Sequence, residues 1–463
     1  MRKRLLTAAG SALALASCAS GPDYRAGSIS APASGPFVLV AGAAVSDAQP
    51  ADDWWRLYQD PVLDGLIADA LAANTDIRVG AARLVQARAL LRESRGAREP
   101  QVGLGGSSQY GRLPGPAIPG QNRTDLQVDV GLDVAYEADL FGRISRDIEA
   151  ARGDVGAAAA DSDAVRVAIV GETARAYADA ASFAERITTA ERIVALLSRS
   201  LNLTQRRVEV GLGTRLDTAR IAALRDQRQA EIPLLAAQRQ AALFRLATLT
   251  GRTPRELPGS AAARTATLRL DRPIPVGDGA TLLARRPDVR AAERRLAAAT
   301  ARIGVATAEL YPQITLGGST GSSGAGVGSL FNPLSWLVGP LINWTANRSA
   351  ARARVAGAQA NTQAALATFD GTVLQALEET ETALSSYRNA LQRRTALQSA
   401  RDEAEAAARI TRARQREGDI NSLELLDSER TAADAQAALA EADARIVEAQ
   451  IDLFRSLGGG WNS

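Results

Sequence analysis

The sequence predicts a mostly α-helical protein that also carries a membrane β-barrel, built as a tandem structural repeat. Three observations lead there. Long stretches lack proline and are rich in alanine, arginine, glutamate and leucine. One segment alternates strictly between apolar and polar residues. The chain also matches itself at an offset of 212 positions. Aromatic residues are only 4% of the 463, so alanine supplies much of the apolar content, as in helices that pack closely.

The amino end reads as a targeting segment. Arg2, Lys3 and Arg4 are basic, and Leu5 to Ala16 form an apolar run too short to span a bilayer. Leu15-Ala16-Ser17-Cys18 then resembles a bacterial lipobox, whose cysteine is lipidated and becomes the first mature residue. Residues 1–17 are accordingly assigned as a lipoprotein signal peptide. Ala19, in place of an aspartate, favours delivery to the outer membrane. The plainer alternative is an ordinary signal peptide with an incidental cysteine. Cys18 is the only cysteine, so no intrachain disulfide can form. The formal charge of +3 equals the contribution of Arg2, Lys3 and Arg4, which leaves the mature side chains near neutrality. Nucleic acid is therefore not an expected partner. Residues 18–60, rich in Gly, Ala, Ser and Pro, read as an extended lipidated tether that ends on the packing anchors Trp54 and Trp55.

The repeat organises the rest. Asp76-Ile77-Arg78 falls on Asp288-Val289-Arg290, Pro100-Gln101-Val102 on Pro312-Gln313-Ile314, and Leu104 to Ser107 on Leu316 to Ser319. The halves are residues 61–258 and 280–461, joined by a linker over 259–279. Each half reads helix, two strands, a very long helix, a tight turn and another helix. In the first half a helix over 62–98 stops before Pro100, and strands follow at about 101–112 and 124–139. Leu126, Val128, Val130, Leu132, Val134 and Tyr136 share one face of the second strand, with Asp125, Asp129 and Asp133 on the other. Apolar outside and acidic inside is the pattern of a barrel strand between lipid and water. The alternative is a soluble sandwich, for which two strands per half are too few. The second half has weaker strands near 312–321 and 334–344, with a glycine-rich connection from Gly317 to Gly328. No mature stretch is apolar for long enough to form a membrane-spanning helix.

No proline occurs between Pro119 and Pro233, or after Pro340. A single helix from Phe141 to Val210 would run ~100 Å. Apolar or small residues step by four and three through Ile144, Ile148, Ala151, Val155, Ala158, Ser162, Val165 and Ile169. The last helix keeps the step from Leu423 to Phe454. That is a heptad seam.

These residues resemble the TolC-like outer-membrane efflux family, in particular its NodT/OprM-like lipoprotein branch. The segment from Trp54-Trp55 through Asp60-Pro61 to Asn74 is similar to the family's opening. Asp139-Leu140-Phe141-Gly142-Arg143 is similar to its strand-to-helix signature, and Arg285-Arg286-Pro287-Asp288 to the start of its second half. Arg207, Gly211 and Thr214 fit its first turn, and Phe454 to Trp461 its carboxyl end. The sequence departs from the pattern at Asn343 to Arg348 and at Asn421.

The resemblance implies a homotrimer, with four strands per chain giving a 12-stranded transmembrane barrel above a long α-helical periplasmic barrel. It implies a passive export duct in the outer membrane, serving a tripartite efflux system with a periplasmic adaptor and an inner-membrane pump of the RND type. Gly211, Leu212, Gly213 and Thr214, with Gly418, Asp419, Ile420 and Asn421, are then the adaptor-docking turns. Glu424 and Asp427 line the periplasmic gate, and Asp217 belongs to it as the corresponding acid of the first half, where the family can tether neighbouring helices. Where the TolC branch has a basic tether this chain has Ile420, so closure would rest on other contacts, with Arg414 and Arg416 as candidates.

No catalytic constellation is visible. Histidine is absent, which removes the usual general base and the commonest metal ligand. No enzyme activity, metal or cofactor is expected beyond a covalent lipid on Cys18. Two other classes stay open from the residues themselves: a lipid-anchored coiled-coil adaptor without a pore, and an exported enzyme.

Overall fold

The computed structural model describes residues 20–25, 31–38, 44–113, 123–270, 272–420 and 422–459. The leader, Cys18, Asn421 and Trp461 lie outside them. The described chain is mostly helical, and it divides into two compact units. One holds Arg83–Ala159 and Ala291–Gly371 with residues 20–25; the other holds residues 31–38 and 44–82, Ala160–Arg290 and the described residues from Thr372 onward.

The first unit is built on a four-stranded antiparallel sheet, ordered β2-β3-β5-β6. Its strands are β2 (Gln101–Leu113), β3 (Arg123–Ala138), β5 (Gln313–Ala325) and β6 (Ser335–Asn343). Directly opposed residues share a face. Leu104, Leu132, Thr320 and Trp336 therefore form one cross-strand row, and Val102 and Val134 begin the next one with Gly318 and Val338. Asp129 and Asp133 stand on the opposite face, among Ser107, Ser319 and Ser323. The alternation read in β3 thus extends to whole rows. β5 starts where the strand near 312–321 is expected, and its signal is weak because Gly318, Ser322 and Gly324 share its apolar side with Ile314 and Leu316. It also runs on through the stretch expected as a loop, and a 3-10 helix, Val327–Phe331, replaces most of the remainder.

No helix of the described chain is long and apolar enough to cross a membrane. Two are very long: α4 (Arg143–Glu209, 67 residues) and α9 (Ser349–Glu417, 69 residues). Asp139 starts α4, its carboxylate accepting from the backbone N–H groups of Ile144 (3.0 Å) and Ser145 (2.8 Å). Each long helix is followed by a partner of 35 residues, α5 (Arg215–Leu249) and α10 (Ser422–Ser456). The seam residues of α4 are all buried or half-buried. In α10 the seam closes only from Ala433, with Leu423 and Arg430 exposed.

The single helix expected over 62–98 is two: α2 (Pro61–Ala73) and α3 (Thr75–Gly96). Asn74 breaks it. Its side-chain oxygen caps the backbone N–H groups of Asp76 and Ile77, and its amide donates to the Leu249 carbonyl at 2.9 Å. A side chain that offers the backbone this alternative ends a helix without glycine or proline.

The tether is structured at several of its described positions. A helical turn α1 (Ala31–Ser34) comes first, then the parallel two-residue pair β1 (Val45–Ser46) with β4 (Ile274–Pro275). The pairing also structures the linker, which carries α6 (Ser260–Ala263) and leads into α7 (Gly279–Arg285) and α8 (Pro287–Ala308). Trp54 stacks on Phe454, with ring centroids 4.7 Å apart, inside the second unit's core. Asp60 is buried there and satisfied by the Tyr177 hydroxyl and the Arg264 guanidinium, each at 2.9 Å.

One acid in this core is under strain. Burial, followed by Glu448, pushes the Asp179 carboxyl up to about 6, against the opposing pull of Arg175 and Arg445. A folded-state value above the unfolded one gives stability at low pH that is lost as pH rises through about 6. Asp179→Asn should therefore stabilise the protein at pH 7.5 by on the order of 2 kcal/mol. It should also flatten the fall in denaturation midpoint between pH 4 and 7. An unchanged profile refutes this.

Candidate functional site at the helical turns

Both long helices end the same way. Gly211 follows α4 with φ +77°, and Gly418 follows α9 with φ +83°. The Leu212 N–H reaches back to the Arg207 carbonyl (2.7 Å), and the Asp419 N–H to that of Arg414 (3.0 Å). This is the Schellman closure, in which a left-handed glycine lets the chain turn back and satisfy the last carbonyls.

The second helix of each hairpin then starts with an acid in its third position, Asp217 in α5 and Glu424 in α10. At Thr214 the start is a complete capping box. The Asp217 carboxylate accepts from the Thr214 N–H (3.0 Å) and hydroxyl (2.7 Å), while the Asp217 N–H donates to the threonine oxygen. The hydrogen bonds of Asp217 thus hold its own helix start. Glu424 and Asp427 are exposed on the first turns of α10. Their spacing of three places them one above the other on one face.

Ile420 is buried, so it fills space under the second turn where a basic tether would project. Arg414 pairs within its own turn, with Asp419 at 2.8 Å, and this carboxylate raises its guanidinium above the ordinary value. The turns are joined by another residue: Arg207 Nη1 donates to the Gln415 carbonyl at 2.8 Å. Arg207 Nε and Gln415 Nε2 are buried donors with no acceptor among the described residues. Around these polar groups the surface is apolar, with Val210, Leu212, Leu216 and Leu423 all exposed and Leu212 68% so.

Sequence reasoning missed one element. Glu429 of α10 is buried and held by both arms of the Arg412 guanidinium, at 2.5 and 2.8 Å, and by the Ser200 hydroxyl at 3.3 Å. The pair binds α9, α10 and α4 together behind the turns. The available signal was the position of Glu429, one turn from Leu425 and from Ala432 on the buried side of the helix. Removing Glu429 leaves the half-buried Arg412 unpaired and should cost less than the ~3–5 kcal/mol of a fully buried pair. Glu429→Ala should therefore expose the segment around residues 408–430 to protease while the sheet stays protected. Digestion no faster than wild type would dismiss this role.

The chain is similar to known proteins over most of its length. A family model described as outer membrane efflux protein matches residues 66–252 and 280–459. The chain is 32% identical over 429 residues to the pyoverdine export outer membrane protein OpmQ of Pseudomonas putida, covering 91% of each chain. It is 30% identical to the outer membrane protein OprJ of Pseudomonas aeruginosa, covering 97% of this chain and 95% of OprJ. Among solved structures, the outer-membrane channel OprN superposes with a TM-score of 0.91 at 36% identity, over 96% of this chain and all of OprN. The open state of the MtrE outer membrane channel of Neisseria gonorrhoeae gives 0.80 at 27% identity, over 95% and 98%.

Proposed function

The chain belongs to the outer membrane efflux protein family, and from that membership we propose that three copies close one barrel of twelve strands above a helical duct. It is an efflux channel of the outer membrane. The observation that carries the trimer is the sheet. Four strands are too few to close a barrel. Among the described residues both outer strands, β2 and β6, have one edge without a partner strand. In β6, Trp336, Leu337, Val338, Leu341 and Ile342 are all exposed, Trp336 by 77%. A membrane-spanning sheet tolerates no open edge, so β6 of one copy meets β2 of the next. The tandem repeat is supported by equal lengths across the halves: 22 residues in α3 and α8, 13 in β2 and β5, 35 in α5 and α10.

Within this duct the two turns dock a periplasmic adaptor fed by an RND-type inner-membrane pump, and Glu424 and Asp427 ring the gate. Transport needs no metal or cofactor of the channel's own. Purified protein in planar bilayers should give uniform conductance steps, with a mass in detergent of three chains. A silent monomer points instead to a lipid-anchored adaptor without a pore.

Cys18 is proposed as the acylated first residue of the mature chain. Cys18→Ser should accumulate as unprocessed precursor. A chemical test exists as well, because Lys3 is the only lysine. A chain cleaved before Cys18 and acylated on its amine has no primary amine left, so an amine-reactive dye should not label the folded or the denatured protein. One dye per chain would mean a free amino terminus.

A further inference from the structure

Residues 20–24 do not trail from the first unit; they are bonded into it. The Ser20 N–H and hydroxyl donate to the Phe141 carbonyl at 3.2 and 2.7 Å, and the hydroxyl also reaches the Gly304 carbonyl at 3.1 Å. Tyr24 donates to Glu293 at 3.2 Å. The groove is formed by the strand-to-helix corner at Phe141–Arg146 and by α8.

Arg146 lies beneath the segment, its side chain only 7% exposed. Its guanidinium donates to the Ser20 carbonyl (3.2 Å), the Gly21 carbonyl (3.4 Å), the Asp23 carboxylate (2.6 Å) and Glu149 (2.7 Å). Three of these four acceptors belong to the segment. A buried guanidinium without acceptors is costly, so the groove is incomplete when empty. The fit is also steric. Gly21 has φ +89°, and a β-carbon on it would lie 2.5 Å from the Gly304 α-carbon. A β-carbon on Gly304 would lie 2.6 Å from the Ser20 carbonyl oxygen. The two glycines, far apart in sequence, let one backbone lie on the other.

We propose that this groove is a seat for the anchor-bearing end of the chain and that Arg146 is the residue that positions it. The anchor-bearing part of the statement rests on the acylation of Cys18. Cys18 is two residues from Ser20, which at full extension is about 7 Å. Ser20 is bonded to Phe141, whose ring stacks on Tyr311 at 4.6 Å where β3 has ended and β5 is about to begin. Aromatic rings at strand ends mark the level of a membrane surface. The seat therefore holds Ser20 at that level. It also ties the amino end to both halves of the repeat, through Phe141 and Arg146 in one and Glu293 and Gly304 in the other.

Hydrogen–deuterium exchange of the full-length protein in lipid nanodiscs tests this, with intact mass reporting the acyl state of each sample. In the wild type the amide of Ser20 should be protected. Arg146→Ala should speed exchange over residues 20–24 at least tenfold with β3 amides unchanged, and Arg146→Lys should restore part of the protection. Wild-type protection in Arg146→Ala overturns the proposal. If Arg146→Ala also loosens β3, Gly21→Val tests the seat from the segment's side: faster exchange confined to residues 20–24 supports it, and unchanged exchange overturns it. Cys18→Ala carried out on a leader without a lipobox separates the two readings. Retained protection without acyl chains supports the seat whatever the fate of the anchor. Lost protection means that lipid holds the segment, and the seat is wrong.

Discussion

Valine in place of both Gly211 and Gly418 is expected to stop efflux outright while the channel still assembles in the outer membrane. Both glycines sit in the left-handed region, at φ +77° and +83°. A β-branched residue there costs about 1–2 kcal/mol at each turn and pushes the backbone out of the Schellman closure. Space is not the obstacle, since a β-carbon on either glycine would meet nothing within 4 Å. The damage is therefore confined to the shape of the turns and to the carbonyls they satisfy. Neither the buried core around Trp54 and Phe454 nor the sheet is touched. Drug or dye accumulation in cells lacking the native channel measures efflux, and heat-resistant oligomer on a gel measures assembly. A well-assembled double variant that exports at the wild-type rate would remove the turns from the docking surface.

The second large effect is expected at the gate. Glu424→Ala with Asp427→Ala should raise single-channel conductance severalfold and weaken block by multivalent cations at least tenfold, about 1.4 kcal/mol in binding. Cation preference should fall as well. Under threefold symmetry each carboxylate becomes a ring of three charges, and stacked rings both narrow a pore and bind cations. The competing explanation is local. An acid in the first turn of a helix interacts favourably with the helix dipole, worth about 0.3–1 kcal/mol. Asp217 shows that contribution in its capping box, so Asp217→Ala should loosen the start of α5 with little change in conductance. If the double variant matches wild type in conductance, selectivity and block, the two carboxylates serve only their helix.

Much of the architecture could be read from residues alone, for physical reasons that also explain the rest. β3 could be read because its apolar face contains six large residues in strict alternation. β5 gave a weaker signal, because Gly318, Ser322 and Gly324 interrupt its apolar side and its pairing with β3 carries it beyond residue 321. The long helices followed from missing proline, whereas the break at Asn74 depends on a carbonyl 175 residues away. The packed amino-terminal segment escaped notice for the same reason: Ser20 and Gly21 look like linker residues until Gly304 and Arg146 are brought beside them. At the turns, the glycines and acids were visible, while the Arg412–Glu429 pair needed three helices to be in place first.

The bond between the two turns has a consequence for inheritance. Its acceptor is a main-chain carbonyl, which every residue type at position 415 would supply. Its donor is one side chain, Arg207. Drift at position 415 can change the filling of the site but leaves the link standing, whereas a single codon change at 207 removes it. Among alleles selected for a leaky duct, changes at 207 should recur independently, and those at 415 should be rarer and weaker. A saturation library over both codons, plated on an antibiotic normally excluded by the outer membrane, would reveal that imbalance in its surviving and lost variants.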